Sequence, residues 1–145
     1  MPKKRIKMPP IEFLGYSLLK CDYFRDFDCD YAKKVFIIAD AVEKIIDNIY
    51  KLSIKIEITF KNGSVSKFEY LSQFKINNEE WFDEANKEQN NVKVTNLFSL
   101  AFPYIRSSIS AITNDSLGII VLPVIDVLEC DVTKGVTFLS SRKKS

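Results

Sequence analysis

The sequence predicts an α+β domain in which a four-stranded antiparallel sheet packs against one long C-terminal helix, and three observations point to it. From Leu52 to Phe60 the chain alternates, with Leu52, Ile54, Ile56, Ile58 and Phe60 on one side and Ser53, Lys55, Glu57 and Thr59 on the other. That is the pattern of a strand with one buried and one wet face. Past a turn signal at Asn62-Gly63, Phe68, Tyr70, Phe74 and Ile76 continue an even-numbered apolar face against Lys67, Glu69, Gln73 and Lys75. Two strands therefore share one core. Further on, Leu97, Phe98, Ala101, Ile105, Ile109 and Ile112 recur at helical spacing. Strands followed by a helix are the element order of an α+β fold.

Taken in order, Ile11 to Phe24 is rich in Leu, Tyr and Phe with imperfect alternation and is read as the first strand, buried on both faces or bent. Lys33 to Asp40 is a short apolar run, read as the second. Val42, Ile45, Ile46 and Ile49 then follow helical spacing, so a helical turn or two is expected between Ala41 and Asn48. For the turn joining the next two strands, a two-residue Asn62-Gly63 loop would set Ile58 opposite Lys67, mixing apolar and charged side chains on one face. A three-residue loop, Lys61-Asn62-Gly63, with Gly63 left-handed, sets Ile56 opposite Phe68 and Ile54 opposite Tyr70. The second register is chosen. Asn77 to Asn91 reads as a polar connection, and the helix is expected from an N-cap at Thr95 to about Thr113, before Asn114-Asp115-Ser116 and Gly118. Pro103 interrupts the pattern at a site where proline normally costs ~3 kcal/mol.

At 145 residues, with 46% hydrophobic and 28% charged content, the chain is expected to form one soluble globular domain spanning 1–145, with a basic arm at 1–10 and a basic tail at 139–145. No apolar run approaches the roughly 20 residues of a membrane span, and the basic N-terminus leads into no hydrophobic signal region. A cytoplasmic location is the expectation. Cys21, Cys29 and Cys130 are odd in number, lack the spacing of a zinc site or a disulfide framework, and read as small core or strand residues. With 0 histidines the Ser-His and Cys-His mechanisms are excluded. Neither catalytic residues, metal, cofactor nor enzymatic activity is expected. A net charge of +2, with lysines dispersed among acids, lacks the footprint of a nucleic-acid partner.

Glu79-Glu80 and Asp83-Glu84 sit in a polar connection without convergent ligands and read as solvated surface. Tyr16, Tyr23, Phe24 and Phe27 read as core or interface packing rather than a base-stacking platform, because no basic residues interleave them. Leu117 to Leu128 is apolar, extended in character and broken by Pro123. It suits either a buried strand or the wall of an apolar groove.

Phe102-Pro103-Tyr104-Ile105-Arg106, together with the segment from Leu117 to Val127, resembles the long helix and crossover loop of the SecB family of export chaperones. Tyr50 to Glu57 matches that family's alternating third strand. The resemblance implies a chaperone that binds unfolded or pre-export polypeptides in apolar grooves and assembles as a tetramer, a dimer of dimers joined through the helices. It places the client groove at Phe36, Ile38, Ile119, Ile120, Val121, Leu122, Pro123 and Val124 and the oligomer interface at Ile105, Ile109 and Ile112. Members that deliver clients to the SecA motor carry an acidic outer sheet face, whereas this one carries Lys55, Lys61, Lys67 and Lys75 against Glu57 and Glu69. A chaperone dedicated to one client, such as an antitoxin, needs no such face and is the alternative, as is a non-chaperone adaptor.

Overall fold

A computed structural model describes residues 11–24, 32–46, 48–60, 63–76, 87–114, 120, 122 and 131–139. They form β1 (Ile11–Asp22), β2 (Ala32–Ile46), β3 (Ile49–Phe60), β4 (Val65–Ile76), α1 (Lys87–Ile112) and β5 (Val136–Leu139). The strands make one antiparallel sheet in the order β1-β4-β3-β2-β5, so the sheet has one strand more than expected, contributed by the chain beyond α1. That strand was not legible because its four residues pair only with Lys34 to Ile37.

The β3–β4 hairpin has the register its alternation dictates: Ile56 faces Phe68 and Ile54 faces Tyr70. The Phe60 amide donates to the Ser64 carbonyl at 2.9 Å, the Gly63 amide donates back to Phe60 at 2.9 Å, and Gly63 holds φ +89°. A two-residue loop would have turned charged side chains into the core.

β2 is longer than expected. Residues 41–46 continue the strand, pairing with Ser53 through Ile49, and are not helical. Register shifts between Ala39 and Ala41 and between Lys44 and Ile46 explain the misleading spacing. Each irregularity moves the apolar phase by one residue, so a strand of period two imitates a helical period. β1 is irregular for the same reason, with shifts between Phe13 and Gly15 and between Leu18 and Lys20. It is bent and exposed at the edge of the sheet, not buried on both faces. It ends at Asp22, beyond which the Ser66 hydroxyl holds Phe24 by accepting its amide at 2.9 Å and donating to its carbonyl at 2.7 Å.

The helix starts at Lys87, eight residues before the expected cap, and Thr95 lies inside it. Its opening residues, Lys-Glu-Gln-Asn-Asn, carry no apolar period, yet Lys, Glu and Gln are good helix formers. Periodicity finds the buried stripe of a helix, not its length. Pro103 is exposed, so the carbonyl that loses its donor belongs to the water-facing Ser99 turn.

The core lies between α1 and one face of the sheet. Ile37, Leu52, Ile54, Ile56, Ile58, Phe68 and Phe74 from the strands meet Leu97, Phe98, Ala101, Ile105 and Ile109 from the helix, all fully buried. Phe98 stacks on Phe102 at 4.9 Å. Burying side chains of this size stabilises by ~1.5–3 kcal/mol each.

Candidate functional site

Helix α1 presents a different surface on each of its flanks. Toward β1, Tyr104 meets Phe13 with ring centroids 4.8 Å apart, Phe13 meets Phe74 at 5.5 Å, and Tyr16 meets Tyr70 edge-on at 5.8 Å. The Tyr70 hydroxyl is joined to the Ser108 hydroxyl at 2.9 Å. Burial pushes the Tyr70 phenol above its ordinary range, while the hydrogen bond with Ser108 pulls it the other way. The pairing of Tyr16 with Ser72 and of Leu18 with Tyr70 puts both β1 side chains on the helix side of the sheet. They remain 40% and 38% exposed, and Tyr104 is 54% exposed. An apolar strip open to solvent therefore runs along the junction of β1 and α1.

Away from the sheet, α1 offers Ser99, Leu100, Pro103, Tyr104, Ser107 and Ala111, all exposed. Between Val94 and Asn114 the only charged residue is Arg106. A helix face turned to water ordinarily carries charges, and 28% of this chain is charged. Ser99, Pro103, Ser107 and Ala111 recur every fourth residue, a small-residue ridge that lets another helix approach closely.

On the third flank, Arg106, Ser110 and Thr113 hold the chain that follows the helix. Arg106 Nε donates to the Leu122 carbonyl at 2.7 Å and Ser110 Oγ donates to the Ile120 carbonyl at 3.1 Å. Thr113 Oγ1 accepts the Ile120 amide at 3.0 Å while donating to the Ile109 carbonyl at 2.8 Å. The side chains of Ile120 and Leu122 enter the core.

These positions correct the expected site. Ile120 and Leu122 are core residues, at 6% and 0% exposure, rather than an open groove wall. Ile119, Val121, Pro123 and Val124 lie outside the described residues. Phe36 and Ile38 alternate with the buried Val35, Ile37 and Ala39 and therefore sit on the opposite face of the sheet, half-buried, away from the helix. There a turn closed by amides of Lys134 and Gly135 covers them, and a Cβ placed on Gly135 would lie 2.6 Å from the Phe36 ring. The structure does not bring Phe36 and Ile38 together with Ile120 and Leu122. Ile105 and Ile109 are also wholly buried against their own sheet, whereas Ile112 is only partly buried. The helix period located them, but it could not say that the sheet covers the first two completely.

Sequence reasoning missed Leu100 and the outward face of Tyr104. The near-absence of charge over 94–114 was the signal available. Of the cysteines, Cys21 is exposed on β1, while Cys29 and Cys130 lie outside the described residues, as does Phe27.

The outer sheet face is internally compensated. Lys67 lies beside Glu57 on one neighbouring strand, at 4.0 Å, and is paired with Asp22 on the other. Glu69 is likewise flanked by Lys55 and Lys20, and Glu12 pairs with Lys75. Opposite charges directly across a sheet stabilise modestly and leave no single-sign field.

No group of three or more His, Cys, Asp or Glu placed to hold a metal ion occurs among the described residues. No helix among them is long and apolar enough to cross a membrane.

No protein-family model matches the chain, and no curated protein matches it in sequence. Among solved structures it is similar to the Mycobacterium tuberculosis SecB-like chaperone Rv1957, determined in complex with a ChAD peptide from the Rv1956 HigA1 antitoxin. The match has a TM-score of 0.57 at 17% identity and covers 80% of this chain and 88% of that one. The fold is SecB-like. At that identity the similarity speaks for the fold alone, an antiparallel sheet with one long helix.

Proposed function

We propose that this protein is a non-enzymatic, cytoplasmic chaperone that binds non-native polypeptide and works as a homo-oligomer without cofactor or metal. The observation that carries the reading is the solvent-open apolar strip of Tyr16, Leu18 and Tyr104, backed by Phe13 and Tyr70. Contiguous exposed apolar surface marks a protein-interaction site. Edge strand β1 and the helix beside it can receive an extended client, whose apolar side chains would be buried at roughly 25 cal/mol per Å². A fold whose solved example holds an antitoxin peptide supports a polypeptide as the ligand.

The uncharged ridge of α1 suits a second copy of the same chain, since a small-residue face is self-complementary about a two-fold axis. Assembly then multiplies the sites available to one long client. Tetramerisation as a dimer of dimers is the finer form of this proposal. The compensated outer face, with Lys67 set between Asp22 and Glu57, favours a chaperone dedicated to one client over delivery to SecA, which the acidic faces of export chaperones serve.

The test is suppression of aggregation of a chemically unfolded model protein, with Tyr16→Ser/Leu18→Ser as the comparison. Loss of about 1.5 kcal/mol or more of contact should weaken binding at least tenfold in the variant. Equal activity of variant and parent removes the strip from the account. Export delivery is tested separately: measurable binding to SecA would reverse the preference for a dedicated client.

A further inference from the structure

We propose that the Arg106–Ser110–Thr113 stripe of α1 is a second polypeptide-binding site, occupied in this structure by the chain's own Ile120 and Leu122, and that client binding displaces them. The inference rests on the chaperone reading for the identity of the competitor, but its geometry is independent of it. The stripe already binds main-chain groups of Ile120 and Leu122. Three side chains on successive turns of one helix flank read main-chain groups, satisfying both the amide and the carbonyl of Ile120 and the carbonyl of Leu122. Side chains two residues apart meanwhile enter the core. This is how a groove takes a strand-like ligand: main-chain hydrogen bonds supply sequence-independent affinity, and pockets for alternate side chains supply preference.

The donors also distinguish this contact from ordinary sheet structure. A strand in a ladder is held by backbone groups of its neighbour, and releasing it leaves those groups unpaired. Here the helix backbone loses nothing, because Arg106, Ser110 and Thr113 use side chains, and each can serve another carbonyl or amide equally well. Thr113 keeps its second bond, to the Ile109 carbonyl, whichever strand it holds. A client segment of pattern apolar-x-apolar presents the same main-chain groups and the same two side chains, so exchange replaces like with like. The tethered occupant has the advantage of high effective concentration. Exchange then favours clients already anchored elsewhere on the protein, for example at the β1–α1 strip.

Hydrogen exchange on the full-length parent is the direct test. The Ile120 amide, bonded to Thr113, should exchange at least about tenfold faster when the protein is saturated with reduced, carboxymethylated α-lactalbumin. Unchanged or slower exchange in the saturated complex overturns the proposal. A variant gives a second readout: Leu122→Ala loosens the internal occupant and should bind the same client at least about tenfold more tightly, while Ile56→Ala, an equally buried truncation on β3, should not. An equal gain in both would mean general destabilisation and would also overturn it. Should Leu122→Ala fail to fold, Leu122→Val takes its place.

If the parent binds no unfolded chain, the chaperone reading falls and the stripe is judged alone, by binding of a labelled, end-capped peptide of sequence 117–124. That peptide should bind Leu122→Ala and be excluded from the parent. No binding to the variant refutes the inference.

Discussion

Gly135→Ala compared with Gly63→Ala isolates the contact that locks Phe36 onto the outer face of the sheet. Both glycines are left-handed, with φ of +84° and +89°, so both substitutions incur the left-handed penalty of ~1–2 kcal/mol. Their surroundings differ. A Cβ on Gly63 meets nothing within 4 Å, whereas one on Gly135 falls 2.6 Å from Cε2 and Cζ of Phe36, with Ile38 Cδ1 at 3.7 Å behind. The ring must move, and forced overpacking of this kind costs ~1–3 kcal/mol more. Gly135→Ala is therefore expected to destabilise by about 2–5 kcal/mol and Gly63→Ala by about 1–2. The assay is urea unfolding at one fixed protein concentration, with a cycle through Phe36→Ala. In that background Gly135→Ala should fall back to the cost of Gly63→Ala, giving a coupling of about 1–3 kcal/mol. Equal costs for the two glycines, or no coupling to Phe36, would refute the placement of Phe36 beneath the 131–135 turn.

Ile109→Ala should destabilise the folded chain by about 2–5 kcal/mol with assembly at matched stability unaffected, because the side chain is fully buried against its own sheet; denaturant melts and light scattering read the two effects. Ser107→Lys with Ala111→Lys places charge on the uncharged helix face, and should abolish the proposed self-association, read by light scattering, while leaving circular dichroism unchanged. The raised Tyr70 phenol means that the unfolded state loses its proton first. Its stabilising effect is thus complete below the ordinary value of 10.0 and is lost as pH rises through the folded-state value. Tyr70→Phe should flatten that alkaline fall in melts taken above pH ~10, and an unchanged alkaline limb would contradict the burial assigned to the phenol.

The parts of the fold that were legible are those in which one physical constraint acts alone. In the β3–β4 hairpin, a one-residue slip would have buried Lys67 and Glu69, so alternation and Gly63 together determine the pairing. The buried stripe of α1 was equally plain. What was hidden depended on two constraints at once. The bulges of β2 broke its period, and the polar start of α1 had no period to show. The candidate site was the least legible part. Ile105, Ile109, Ile120 and Leu122 are all apolar in the sequence, and only the packed structure tells an apolar residue covered by its own chain from one left open for a partner. Arg106 entered the sequence reading only as the last residue of the Phe102–Arg106 motif, and its bond to the Leu122 carbonyl explains why a long planar donor occupies the otherwise uncharged stretch 94–114.

The central claim, that the protein binds non-native polypeptide through apolar contact, is tested most directly by fluorescence anisotropy of a labelled, reduced and carboxymethylated α-lactalbumin titrated with the full chain. The account expects saturable binding that changes little between low and high salt and is lost in Tyr16→Ser/Leu18→Ser. An absence of binding, or binding that collapses with salt as a charge-driven contact would, contradicts it.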